Sequence, residues 1–259
     1  MDLGLNGRTV LVTGATGGIG SEIARAFAAE GARVAVTYRS DHEAAEKLVA
    51  ELRGGGDPAA DPDRAFALRY ALDEPGSAQR AVAAVEDRWG SLDVLVVNAV
   101  HRGARRVPGT RFEDVPEEAW RPVVDDNLAP AISTVQCAVG GMRRRGWGRI
   151  VLISSHNALG GNQGQEFYGA AKAGLHGLAR SLMWDLGDSG VLVNVVCPGL
   201  TATEQVVAAL PGAVRDREAQ ATPTGRLTAP AEVARSVVFL CSEANGNITG
   251  ESLTVAGGR

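Results

Sequence analysis

The feature that most constrains this chain is a glycine cluster close to its start. Residues 13–20 read TGATGGIG, with Gly14, Gly18 and Gly20 in the spacing Gly-x-x-x-Gly-x-Gly. Residues 8–13, RTVLVT, form a short β-rich run before it, and residues 19–30 place Ile19, Ile23, Ala26 and Phe27 at helical spacing after it. A strand that turns through glycines directly into a helix opens a βαβ unit. Gly14 permits the tight turn, Gly18 lets the backbone approach a pyrophosphate, and Gly20 lets the helix pack close to the strand. The helix N-terminus then offers free N–H groups and partial positive charge to phosphates. A glycine turn without a ligand is the bland alternative; the position at the head of a βαβ unit favours a dinucleotide.

The same alternation continues along the chain. The pattern predicts strands over 33–38, 66–70, 94–97, 149–153, 191–197 and 253–255. It predicts helices over 42–53, 75–89, 117–145, 167–185 and 230–240, the last opening on Pro230, where a missing N–H does no harm. Residues 54–63, GGGDPAADPD, read as a surface loop. Short apolar strands alternating with helices imply an α/β fold, a doubly wound parallel sheet of seven strands with helices on both faces. With 259 residues, 45% of them hydrophobic and 22% charged, the chain suits one domain spanning 1–259. A net charge of −4 gives no support for nucleic-acid binding, and no apolar run approaches the ~20 residues that span a bilayer. The first ten residues lack the basic and apolar regions of a secretory signal. Three widely spaced cysteines, Cys137, Cys197 and Cys241, fit neither a disulfide framework nor a zinc site, so a cytoplasmic protein without a metal is expected.

The end of the second strand bears on cofactor choice. A carboxylate there would hold the ribose 2′-OH of NAD. The chain instead has Tyr38-Arg39-Ser40, with Arg39 nineteen residues after Gly20. A guanidinium suits the 2′-phosphate of NADP, and Ser40 adds a hydroxyl; a solvated arginine at a strand end is the plain alternative.

Tyr168 and Lys172, in FYGAAKAG, are four positions apart and share a helix face. An ammonium beside a phenol favours phenolate and lowers a pKa that is ordinarily ~10, so such a tyrosine can exchange a proton near neutral pH. Ser155, thirteen residues earlier, follows the strand IVLIS. It should stand at the carboxyl end of the sheet, where α/β folds bind ligands. Each motif alone occurs by chance; with the glycine turn the set is specific.

These residues identify a resemblance. The chain is similar to short-chain dehydrogenases/reductases of the kind that includes 3-oxoacyl-carrier-protein reductases, over nearly its whole length. The motifs are TGATGGIG, the Asn98-Ala99 of VVNAV, Asn127 in DDNLAP, ISS ending at Ser155, YGAAK, CPG over 197–199, and GRLTAPAEVA. The resemblance implies a Rossmann fold with a catalytic tetrad of Asn127, Ser155, Tyr168 and Lys172. Tyr168 would protonate a carbonyl oxygen, Ser155 would polarise it, Lys172 would hold the nicotinamide ribose and tune Tyr168, and Asn127 would anchor a water. Cofactor contacts are implied for Gly14, Thr16, Gly18, Ile19, Gly20, Arg39, Ser40, Asn98, Ala99, Tyr168, Lys172, Pro198, Gly199, Thr201 and Thr203. It further implies a substrate lid at about 200–222, a homotetramer, and an NADPH-dependent ketoreductase acting on a small-molecule or carrier-bound ketone. NAD-dependent alcohol oxidation on the same scaffold, or a non-catalytic NADP-binding regulator, are the rival readings. A Gly-, Ala- and Arg-rich composition hints at a GC-rich genome and secondary metabolism.

Four local expectations complete the reading. Pro130 lacks an N–H, so a kink is expected beside Asn127. His101, Arg102, Arg105 and Arg106 form a basic run after the fourth strand, read as a solvated face unless it guides an acidic substrate or a phosphopantetheine-carrying partner. His156 should point away from Ser155, as neighbours in an extended segment do. Val206, Val207, Ala209 and Leu210 should give the lid an apolar inner face. The chain departs from the family pattern at Val100 (usually glycine), Ala71 (usually an aspartate for adenine, with Asp73 nearby), Ala256 and Trp184 (both usually acidic).

Overall fold

A computed structural model describes residues 2–55 and 61–259. The valine- and leucine-rich runs become seven parallel strands: β1 Thr9–Val12, β2 Arg33–Tyr38, β3 Ala65–Arg69, β4 Val94–Val97, β5 Gly148–Ile153, β6 Val191–Pro198 and β7 Ser252–Val255. Their order is β3-β2-β1-β4-β5-β6-β7. The direction of winding reverses between β1 and β4, which places a crevice at the carboxyl ends of those two strands.

Nine α-helices accompany them among the described residues: α1 Gly18–Ala29, α2 His42–Leu52, α3 Ser77–Trp89, α4 Glu117–Arg145, α5 Asn157–Gly160, α6 Glu166–Leu186, α7 Glu204–Ala209, α8 Gly212–Gln220 and α9 Pro230–Leu240. Alternate strand residues feed two cores, as the pleat requires. Val10, Val12, Val34 and Val36 pack under α1, α2 and α9 through Ile23, Phe27, Val233 and Val237. Leu11, Leu95, Ile150 and Leu152 pack on the opposite face with Val82, Val135 and Leu175 from α3, α4 and α6. Burial on both faces explains why β1, β4 and the IVLI of β5 read as near-continuous apolar runs rather than alternating ones.

The expected elements are present with ends moved by one or two residues. Of the loop expected over 54–63, residues 56–60 lie outside the described residues; Gly54 and Gly55 leave α2 with φ of 104° and 62°, beyond the reach of most side chains. Helix α4 runs through Pro122 and Pro130 as one 29-residue element, so the kink expected at Pro130 does not break it. The segment 200–222, expected as a lid, forms two short helices, α7 and α8. Thr203 starts α7 by accepting the Val206 N–H at 3.2 Å.

Candidate active site

A cavity of about 920 Å³ lies along the carboxyl ends of the strands. Its floor is the glycine turn. Gly14 has φ +64°, and a Cβ at Gly18 would come within 2.6 Å of the Thr203 side chain. The turn is held by hydroxyls and by one amide. Thr37 Oγ1 accepts the Gly14 N–H at 2.8 Å, and Thr13 Oγ1 accepts the N–H groups of Asn98 and Ala99 at 2.8 and 3.0 Å. Asn98 Nδ2 donates back to the Thr13 and Gly14 carbonyls at 2.9 and 3.0 Å. Sequence reasoning missed Thr13 and Thr37 as organisers, although both stand in the quoted strands.

Gly14, Thr16, Gly18, Ile19, Gly20, Arg39, Asn98, Ala99, Ser155, Tyr168, Lys172, Pro198, Gly199, Thr201 and Thr203 all line this cavity. Ser40 and Asn127 do not. Ser40 is exposed just past β2, one step beyond the wall that Arg39 joins. Asn127 is 97% buried, and its amide is committed to main chain. Nδ2 donates to the carbonyls of His101 and Val123 at 2.6 and 2.7 Å, and Oδ1 accepts the His101 N–H at 3.2 Å. Both donors are thereby spent, so the side chain clamps the segment after β4 rather than presenting an N–H to a water.

Ser154 and Ser155 diverge as β5 ends. Ser154 Oγ is buried against the Lys172 carbonyl at 3.1 Å and His176 Nε2 at 2.8 Å, while Ser155 faces the cavity and its Oγ accepts the Asn157 N–H at 3.2 Å. His156 was expected to face away, but it also lines the cavity. The chain has left the extended conformation there, with φ −54° and ψ −29°, so strand alternation no longer applies.

Tyr168 and Lys172 sit on one face of α6, with Nζ 6.0 Å from the phenol ring centre. Lys172 is buried, its Nζ donates to the Ile153 carbonyl at 2.9 Å, and burial followed by the Arg102 charge lowers its pKa to about 8. Burial raises the Tyr168 pKa; the Arg102 charge and then the Ser155 hydroxyl pull against that rise. Lys172 therefore stands beside the phenol as the sequence suggests, and Arg102, a residue of the basic run, adds a second positive charge that sequence reasoning missed.

The rest of the run divides. His101 Nδ1 meets Asp126 Oδ2 at 2.8 Å and Arg106 meets Glu166 at 2.6 Å. Arg106 holds the Glu166 carboxyl far below its ordinary range, at about 2. Arg102 and Arg105 have no ion-pair partner among the described residues and line the cavity. At the opposite end Arg39 pairs with Asp73 at 2.9 Å, both largely exposed. Val100 lines the wall with negative φ, so the usual glycine's freedom is not used there.

Of the lid residues, Val206 and Leu210 line the cavity, joined by Val214 of α8. Val207 and Ala209 are exposed, because α7 is a helix that turns them outward.

Residues 14–259 match the family profile described as enoyl-(acyl carrier protein) reductase. Curated relatives include an acetoacetyl-CoA reductase of Acinetobacter sp., 37% identical over 97% of both chains. An L-rhamnose 1-dehydrogenase (NAD(P)(+)) of Sphingomonas sp. is 38% identical over 98% of this chain and 96% of that one. A 3-oxoacyl-[acyl-carrier-protein] reductase of Vibrio cholerae is 34% identical over 99% and 98%. A solved 7α-hydroxysteroid dehydrogenase, complexed with NADH and 7-oxo glycochenodeoxycholic acid, superposes with TM-score 0.89 at 31% identity, over 99% of this chain and 96% of that one.

Proposed function

The chain belongs to the short-chain dehydrogenase/reductase family and is an oxidoreductase of the CH–OH/C=O couple, and from that premise we propose that it is an NADPH-dependent ketoreductase that reduces a ketone to a secondary alcohol. The observation that carries this reading is the convergence of Ser155, Tyr168 and Lys172 on the cavity floored by the glycine turn.

The residues suit a nicotinamide dinucleotide. A Cβ at Gly18 would fill the cradle between the turn and Thr203. Gly14 to Gly20 would take the pyrophosphate, Asn98 and Ala99 the adenosine ribose, and Pro198, Gly199, Thr201 and Thr203 the nicotinamide end. Thr203 Oγ1 accepts from Val206 and so keeps its own proton for an acceptor such as a carboxamide. The bound dinucleotide supplies hydride to the carbonyl carbon. Tyr168 gives its proton to the carbonyl oxygen, which completes the alcohol. Burial keeps the phenol protonated beforehand, and the Arg102 charge and the Ser155 hydroxyl stabilise the phenolate left behind. Ser155 directs its hydroxyl to the same carbonyl oxygen. Lys172, mostly protonated at neutral pH with a pKa of about 8, binds the nicotinamide ribose. Asn127 is a positioning residue that fixes the His101 segment beside them.

NADP is preferred over NAD on the strength of Arg39 at the end of β2. One observation favours the rival cofactor: Asp73 lies 2.9 Å from Arg39 and offers a carboxylate to a ribose hydroxyl. The relatives' names make a β-oxoacyl skeleton the first substrate to try. The segment 200–222 serves as a lid, with Val206, Leu210 and Val214 inward. A homotetramer is supported by exposed apolar surface on α6, α9 and β7: Trp184 at 83%, Leu253 at 40% and Phe239 at 39%. No helix among the described residues is long and apolar enough to cross a membrane. Three unpaired cysteines support a reducing, cytoplasmic setting.

The test is oxidation of NADPH and of NADH by a panel of ketones and β-oxoacyl thioesters. Turnover with NADPH ahead of NADH is expected. Reduction of NAD by alcohols with no ketone-dependent oxidation of NADPH would establish the rival reading.

A further inference from the structure

We infer that Arg102 and Arg105 form an oxyanion site beside the reacting carbonyl, so that the substrate is a keto acid with a free carboxylate, its apolar chain lying in a second cavity behind Tyr168. The inference rests on the ketoreductase reading and narrows its substrate.

The geometry begins with the segment between β4 and α4. It is pinned at both ends. His101 is held by Asp126 and by the Asn127 amide, and Arg106 by Glu166 and by its own N–H to the Gly164 carbonyl at 2.9 Å. Between these anchors, Arg102 and Arg105 carry charges that no carboxylate among the described residues offsets. Elsewhere on the cavity wall the arginines are paired: Arg39 with Asp73, Arg226 with Glu232, Arg259 with Glu218. Two uncompensated guanidiniums on a fixed segment favour a planar oxyanion that accepts paired N–H bonds.

Position selects the anion. Arg102 and Arg105 share with Tyr168 the walls of both cavities, the smaller of about 280 Å³. An anion held there is a close neighbour of a carbonyl at Tyr168. A phosphate of coenzyme A or of a carrier protein is separated from its oxoacyl group by the whole pantetheine arm, and cannot occupy that place while the ketone reacts. A carboxylate on the substrate's own skeleton can.

The second cavity fixes the remainder. It measures about 280 Å³ and is walled by Val107, Val115, Pro116, Ala119, Val123 and Phe167. Arg102, Arg105, Gln165 and Tyr168 line both cavities, so they form the boundary between them. A short unbranched chain suits this volume and lining. Each buried methylene should tighten binding by roughly fourfold until the cavity is full.

The experiment compares three forms of one skeleton, 3-oxohexanoate, its methyl ester and its N-acetylcysteamine thioester, by NADPH oxidation in the wild type, Arg102→Gln and Arg102→Lys. The expected result is acid ahead of both neutral forms in the wild type. The acid-to-ester ratio of kcat/KM should fall roughly 10- to 150-fold in Arg102→Gln, mostly through KM. Arg102→Lys should recover part of the ratio, because it restores charge without the fork. Hexanoate, which has no ketone, should inhibit the wild type competitively against the acid and inhibit Arg102→Gln less. Thioester or ester turned over at least as well as the acid by the wild type overturns the keto-acid site and leaves the reductase standing. An equal loss on acid and ester in Arg102→Gln, without rescue by lysine, also overturns it. No NADPH oxidation with any of the three, when another ketone of the panel is reduced, overturns the keto-acid site alone; none with any ketone of the panel overturns the reductase reading as well.

Discussion

The two sides of the main cavity are built by different means. On the dinucleotide side the wall is main chain. The glycine turn, the Asn98-Ala99 step and the 198–201 segment hang directly from β1, β4 and β6, and the bonds that hold them join backbone groups to Thr13, Thr37 and Asn98. On the substrate side the wall is side chain. It consists of the pinned basic segment, the turn after Ser155 and the two short helices α7 and α8, and ion pairs such as Arg106–Glu166 hold it. A wall of backbone serves a ligand that is the same in every turnover. A wall of side chains can be respecified by a few substitutions without disturbing the sheet.

The sharpest way to separate the sides is Tyr168→Phe, which removes the proton donor and nothing else. NADPH affinity should be little changed while kcat falls ~10²–10⁴-fold, the usual contribution of general acid catalysis. More than about a tenth of wild-type kcat, with chemistry rate-limiting, would remove Tyr168 from the role.

On the dinucleotide side Arg39 is the side chain set against the cofactor's 2′ position, and it is the next largest lever. Arg39→Ala should reduce kcat/KM for NADPH by roughly 10- to 150-fold and spare NADH. Asp73→Asn should act in the opposite sense. The exposed Arg39–Asp73 pair contributes at most about 1 kcal/mol, so freeing Arg39 should favour NADPH by up to about fivefold. A wild type that already prefers NADH, unchanged in Arg39→Ala, would reverse the cofactor assignment.

Lys172 is where function and stability conflict. Burial lowers its pKa from 10.5 to about 8, so between those values the unfolded chain binds the proton that the folded chain has released. Stability owed to this group is therefore lowest below pH 8 and rises as pH climbs toward 10.5. Relieving that burden at neutral pH offsets the roughly 1–3 kcal/mol of leaving the buried Ile153 carbonyl without its donor, so Lys172→Met should leave the fold at least as stable. Thermal unfolding at neutral pH should show a Tm at or above that of the wild type, while activity collapses. A Tm below the wild type would show that the buried ammonium is better compensated than its surroundings indicate.

The smallest effect concerns the lid. Limited proteolysis within 200–222 should slow several-fold when NADPH and a ketone are bound together. Equal cleavage with and without ligand would make α7 and α8 a fixed wall, as firm as the dinucleotide side.

Much of this was legible beforehand because it depends on local rules. The glycine spacing, the short apolar strand runs and the four-residue step from Tyr168 to Lys172 dictate turn, strands and helix face from neighbours in sequence alone, and the seven-stranded sheet follows from the alternation of strands with helices. What the sequence could not disclose arises from partners far apart in the chain. The Asn127 amide gives both its donors to the carbonyls of His101, 26 residues away, and Val123, an engagement the sequence does not show. His156 reads as pointing outward until the chain bends at φ −54°. The four basic residues after β4 look alike in sequence. Only the folded chain brings Asp126 to His101 and Glu166 to Arg106, and leaves Arg102 and Arg105 over the cavity. Electrostatic fate depends on distance through space, and the sheet sets that distance by carrying α4 and α6 alongside the segment between them.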